Sequence, residues 1–222
     1  MKLKQLAIAT ALGVASTVTM AGGFDGPFVQ MGVGGSATSS KASGDQTLAS
    51  VNGTTNSGSF NGLVSAGWSQ EIADSGFNLA GNLFYVIGNQ NAGQKNASYT
   101  GTAGFWEQQS LNTKLKNTFG VSVEPGWNFS KTTLGYAKLA WVNSRINLND
   151  NYTESNPSNN QSGAFNGTVN GFGYGLGAKH LFTENIYGAV DLMGVTYNSY
   201  SVGPASFKPT QFLGFASIGY KF

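Results

Sequence analysis

Few residues of this 222-residue chain have types that do chemistry. His180 is the single histidine and there is no cysteine, so a metal site lacks ligands and no disulfide framework exists. A hydrolytic triad would have to be built on His180, with a serine and a carboxylate brought to it by the fold. The Gly32-Val33-Gly34-Gly35 run is followed by no helical pattern, so it is not a phosphate-binding loop. What remains is a set of charged side chains inside otherwise apolar or glycine-rich segments: Lys114, Lys116, Glu124, Lys138, Arg145, Lys179 and Asp191. Such groups either line a polar passage or pair with one another across a narrow interior. No cofactor is expected.

The segments that carry them alternate with a period of two. Residues 211–222, QFLGFASIGYKF, place Phe212, Ile218, Tyr220 and Phe222 on one face and Gln211, Ser217 and Lys221 on the other, the pattern of a strand with one apolar side. Seven more segments read the same way, over about 28–38, 60–70, 77–88, 111–129, 133–148, 164–182 and 186–199. Along 28–38, Val29, Met31 and Val33 oppose Gln30, Gly32 and Gly34; along 171–178, four glycines share one face. Small and polar residues on one side and large apolar ones on the other fit a narrow barrel turned inside out, with its apolar face outward.

Connections alternate in length. Residues 39–59, 89–109 and 149–163 are long and rich in Ser, Thr, Asn and Gly; the breaks at 73–76, 130–132 and 183–185 are tight. That asymmetry is expected of a transmembrane barrel whose short turns all face one compartment and whose long loops face the other. Trp68, Phe77, Trp127, Phe129, Phe182 and Phe222 then fall at one level, where aromatic rings suit a membrane interface. His180 falls at that same end, on the outward parity, where ring packing is its expected role. Phe105-Trp106 is the one apolar element in the long loops.

The first residues, MKLKQLAIATALGVASTVTMA, read as a secretory leader over 1–21 with cleavage near Ala21, leaving a barrel domain over 22–222. Two of the twelve Lys and Arg fall in the leader, so the rest balance the ten Asp and Glu. No basic patch argues for nucleic acid.

The register of the fifth segment decides what faces the interior. A three-residue loop at Ser130-Lys131-Thr132 pairs Phe129 with Thr133 and brings Lys138 opposite Glu124, with Trp141 outward; a two-residue turn would reverse every assignment. The expectation is a Glu124–Lys138 pair, with Lys116 and Arg145 nearby, plugging the interior.

Signal, strand number and the terminal Phe together resemble the small outer-membrane barrels of the OmpA transmembrane-domain, OmpX and opacity-protein type. The run GYGLGAKHLFTENIYGAVDL over 173–192 resembles the hairpin of the sixth and seventh strands in that superfamily. The resemblance implies an all-β, eight-stranded antiparallel up-and-down barrel in the bacterial outer membrane. It implies contact with outer-membrane lipids and with the barrel-assembly machinery, which would read Phe222, Tyr220 and Ile218 in the closing strand. The expected role is that of a monomeric, non-catalytic structural and surface-exposed protein whose outer loops meet a host or cell-surface ligand. A narrow solute channel of the OmpW kind and a lipid-modifying enzyme are the competing readings. Unlike full-length OmpA-type proteins, the chain is expected to stop at the barrel, and anchoring to the cell wall through a peptidoglycan-binding domain is not expected.

Overall fold

The computed structural model describes residues 23–43, 53–73, 75–100, 106–156, 158, 160–202 and 205–222; the expected leader and its cleavage site lie outside them. Among the described residues ten strands form: β1 (Gly26–Ser43), β2 (Gly53–Glu71), β3 (Phe77–Ile87), β4 (Gln90–Thr100), β5 (Trp106–Ser130), β6 (Thr133–Glu154), β7 (Gln161–Leu181), β8 (Ile186–Tyr197), β9 (Tyr200–Val202) and β10 (Ala205–Lys221). Eight of them close a ring in the order β1-β2-β3-β5-β6-β7-β8-β10, with β10 returning to β1. Every neighbouring pair in the ring is antiparallel. The chain is therefore an eight-stranded up-and-down β-barrel. β4 and β9 are extensions that pair only with β5 and β10.

The ring places large apolar side chains outside. Met31, Val33, Leu83, Val123, Phe172, Tyr174, Leu176, Val190 and Ile218 are all exposed, while their sequence neighbours Gln30, Asn82, Glu124 and Asp191 are buried. A face this apolar around the whole circumference is a surface for hydrocarbon, and closure leaves no strand edge unpaired within it. Along β5, Phe119 and Phe129 bound the belt. Ten steps at about 3.3 Å and a tilt near 40° make it roughly 25 Å tall. Trp68, Trp127, Phe129, Phe182 and Phe222 lie exposed toward the termini end, the end that carries the start of β1 and the C-terminus.

The segments expected as long loops are partly strand. β1 and β2 continue to Ser43 and from Gly53, β6 runs to Glu154, and 90–100 pairs with 106–115 in a β4–β5 ladder that includes the stretch 89–109 expected as a polar loop. These residues carry no period-2 apolar signal, because in this upper wall the outer face meets water. Backbone pairing, and not side-chain burial on an outer face, holds the ladder. Trp106 opens β5 and is half-exposed; Phe105 lies outside the described residues.

Two bulges set the parity of β5. At the termini end the turn is two residues, with Ser130 paired to Thr133, and the register shifts between Asn128 and Ser130. Phe129 is the extra residue, so Asn128 pairs with Leu134 and Val123 with Leu139, the frame in which Lys138 stands across from Glu124. The expected three-residue loop is corrected to a two-residue turn. The consequence for β6 is unchanged because the bulge restores the missing step.

The second bulge, between Lys116 and Phe119, holds Asn117 at φ 51°. Below it even-numbered residues of β5 face inward; above it Thr113 and Leu115 do. Lys114 and Lys116, expected inside, therefore stand on the outer wall, and Leu115, expected to face lipid, is wholly buried. Arg145 is also outside, exposed and paired with Lys116. Alternation along β6 is unbroken from Lys138, and an odd position cannot share the face of an even one. At the left-handed position, Asn117→Val should cost about 1–2 kcal/mol while Asn117→Gly stays near the wild type, measured by urea unfolding of the refolded barrel.

Candidate functional site

Glycine and aromatic residues are matched across the lumen wall, and this gives the interior its shape. A Cβ on Gly177 would run into the Tyr136 ring, and one on Gly219 into Tyr187. Both tyrosines thereby lie flat against the wall and aim their hydroxyls at the centre. The four glycines of β7 noted in the sequence serve this packing, two of the others lying beside Met193 and Tyr197.

At the centre sit two carboxylates and two ammonium groups, all buried. Lys138 Nζ lies 3.1 Å from Glu124 Oε1 and 2.5 Å from Asp191 Oδ1. Lys179 Nζ lies 3.3 Å from Glu124 Oε2. Charge balance within the cluster is exact, which low-dielectric burial demands. The remaining lone pairs are met by neutral donors. Asn82 Nδ2 and Ser122 Oγ each donate to Glu124 Oε1 at 3.1 Å. Tyr136 donates to Asp191 Oδ1 at 2.7 Å and Gln30 Nε2 to Oδ2 at 3.2 Å. Tyr187 in turn donates to Gln30 Oε1 at 3.2 Å. Lys179 also rests over the Phe28 ring at 4.4 Å and the Tyr136 ring at 4.8 Å, a cation–π arrangement. Six strands contribute, β1, β3, β5, β6, β7 and β8, so the cluster ties most of the ring together through its axis.

The polar layer is narrow. Toward the termini Phe24, Phe28, Leu134 and Leu181 pack beneath it. On the other side Leu63, Phe84, Val86, Met193, Leu213 and Phe215 form an apolar plug, where a wholly polar interior was expected. Between plug and cluster a cavity of about 20 Å³ remains, about the space one water requires.

Above the plug lies a second polar group that the sequence reading did not single out. Thr118 and Gln211 both donate to Gln90 Oε1 at 2.9 Å. Tyr197 donates to Gln211 Oε1 at 3.1 Å and lies 3.2 Å from Ser144 Oγ, which is 2.5 Å from Thr118 Oγ1. The bonds close a ring of five side chains. Gln90 fell in a stretch read as loop, and Ser and Thr on an inward face carry no signal beyond small and polar. Leu115, Ile146, Leu148, Val169 and Phe207 continue the interior beyond it.

Of the charged residues expected to share the interior, the structure brings Glu124, Lys138, Lys179 and Asp191 together and leaves Lys114, Lys116 and Arg145 outside. His180 is exposed near the termini, its Nδ1 3.0 Å from Thr133 Oγ1 and its ring edge-on to Phe182 at 5.7 Å. Among the described residues no group of three or more His, Asp or Glu could hold a metal ion. Tyr220 and Ile218 lie on the outer face of β10 and Phe222 is exposed just past its end, with Tyr220 and Phe222 edge-to-face at 5.0 Å.

Belt, closure and filled lumen define the class, a transmembrane β-barrel of eight strands with a closed interior. No protein-family model matches the chain, and no curated relative does. Among solved structures it is similar to Neisserial surface protein A (15% identity, 88% of this chain and 97% of that one, TM-score 0.45). It is also similar to outer membrane protein OprG from Pseudomonas aeruginosa (11%, 90% and 98%, TM-score 0.44) and to outer membrane protease OmpT from Escherichia coli (12%, 94% and 100%, TM-score 0.45).

Removing one partner from a buried, neutral cluster leaves an uncompensated charge. Glu124→Leu should lower stability by about 3–5 kcal/mol, and adding Lys179→Met should recover a substantial part of it. A double-mutant cycle by urea unfolding measures the coupling; strict additivity would mean the two side chains do not interact.

Proposed function

We propose that the chain is an outer-membrane barrel of structural and surface-exposed character, exported through a cleaved leader, non-catalytic, and closed to steady solute flow. The observation that carries this reading is the filled lumen: an ion cluster drawn from six strands, capped by an apolar plug, with space for about one water between them. The extended upper wall of β4, β5, β6 and β7 supports a role at the surface, since it lifts polar backbone and side chains well beyond the lipid belt. Contact with a host or cell-surface ligand would be made there.

A narrow channel is the competing reading, and the apolar plug favours it to the extent that Met193 and Phe215 could swing aside for an apolar solute. Planar-bilayer recording of the refolded chain decides between them. Wild-type protein should show no steady current, and Glu124→Ala/Lys138→Ala should leak; steady wild-type conductance sinks the closed reading.

The terminal strand is proposed as the segment read by the assembly machinery. Its apolar residues stay accessible on the outer face of β10, at the seam where β10 meets β1. Phe222→Asp should reduce the amount of folded protein in the membrane several-fold more than Lys221→Asp, scored by heat-modifiable migration of membrane fractions. Equal yields would remove the proposal.

A further inference from the structure

The outer wall of β2, β1, β10, β8 and β7 carries a groove of about 660 Å³. Small residues flank a single large one on this face where the groove lies: Gly58 stands opposite Ala37, Ala37 opposite Phe212, and Phe212 opposite Gly194. One pair nearer the belt, Gly35 faces Gly214. Phe212 and Tyr174 are exposed around these small residues and give the depression apolar walls. One pair further from the belt, the lining turns to hydroxyl and amide groups, Ser39, Asn56, Thr196 and Thr210.

Beyond that band Lys41 is paired directly with Lys208, both exposed. Side chains facing each other on one sheet side stand about 5 Å apart at Cβ, and like charges there weaken the ladder. Among the described residues neither lysine makes an ion pair; the three salt bridges are all in the lumen. Four steps of β1 separate Lys41 from Ala37, roughly 10 Å along the barrel axis.

We infer that this groove holds a phosphorylated membrane lipid of the leaflet at the far end from the chain termini, with the Lys41–Lys208 pair on its phosphate. The order of the wall, apolar then hydroxyl-bearing then cationic, is the order of an anionic lipid from acyl chain through its glycerol or sugar to its phosphate. Two ammonium groups at one spot are an unfavourable pair in water and a favourable one around a phosphate. The inference rests on the transmembrane reading of the barrel. Lys116 and Arg145 form a second like-charge pair on the opposite wall.

That second pair supplies the control. The refolded barrel, its insertion checked first by heat-modifiable migration, is loaded with phosphatidylglycerol or with a monophosphorylated saccharolipid, and retained lipid is counted by native mass spectrometry. Lys41→Gln/Lys208→Gln and Lys116→Gln/Arg145→Gln remove the same charge. Retention by the first should fall about tenfold below the second, because only the first loses hydrogen bonds to a seated phosphate. Gly58→Leu, which has room for a side chain, fills the groove with both lysines intact and should also release the lipid. The lipid retained better of the two identifies the class, and inorganic phosphate at equal concentration should not displace it. Equal loss from both charge variants, or full retention by Gly58→Leu, overturns the site. A barrel that fails to insert at all overturns the transmembrane reading instead.

Discussion

Everything in this molecule depends on the closure of β10 against β1. A sheet in hydrocarbon cannot leave N–H and C=O groups open, so its last strand must find its first, in register, over their full length. Here sixteen consecutive pairs from Phe28–Lys221 to Ser43–Ser206 make that seam. Once the ring is closed, its wall is one residue thick, and each side chain has two choices, lumen or outside. Parity is then the central variable of the fold: one step of slippage anywhere would exchange the two environments for a whole strand.

That constraint explains why the bulges matter more than their size suggests. Phe129 absorbs the difference between a two-residue turn and the frame that β6 needs, so Trp141 meets lipid and Lys138 meets Glu124. Asn117 does the opposite, changing the frame on purpose where the strand leaves the belt. Below it β5 keeps its large apolar residues outside; above it the apolar Leu115 turns in and Lys114 and Lys116 turn out. The barrel is thus inverted in its lower part and ordinary in its upper part. Large apolar residues occupy the outer face where it meets lipid and leave it where it meets water, while the lumen keeps apolar layers in both parts.

The lumen follows from the same wall. An interior just wide enough for side chains cannot hydrate isolated charges, so two lysines can enter only with two carboxylates. The tyrosines over Gly177 and Gly219 show how tightly space is partitioned: each large ring is bought by a residue without a side chain on the adjoining strand. A charge-neutral cluster between two apolar layers is a stable end to that packing.

The amino-acid sequence alone determined the outer belt, the eight ring strands and the inward place of Glu124, Lys138, Lys179 and Asp191, because period-2 alternation against lipid writes apolar and polar faces directly into residue type. Long polar stretches hid strand β4 and the upper halves of their neighbours, since a wall wet on its outer side needs no large outward residues. Arg145 was misassigned although its own parity relative to Lys138 places it outside; the information was present and the alternation had to be followed to the end. Lys114, Lys116 and Leu115 are different. Their faces depend on a bulge at Asn117, and Asn in the middle of a strand does not by itself announce a left-handed residue. The apolar plug, the five-membered hydrogen-bond ring and the partner of each charge were decided only by tertiary structure. Which inward residues meet depends on strand tilt and stagger around a closed ring, and those come from all eight pairings at once, not from any one strand.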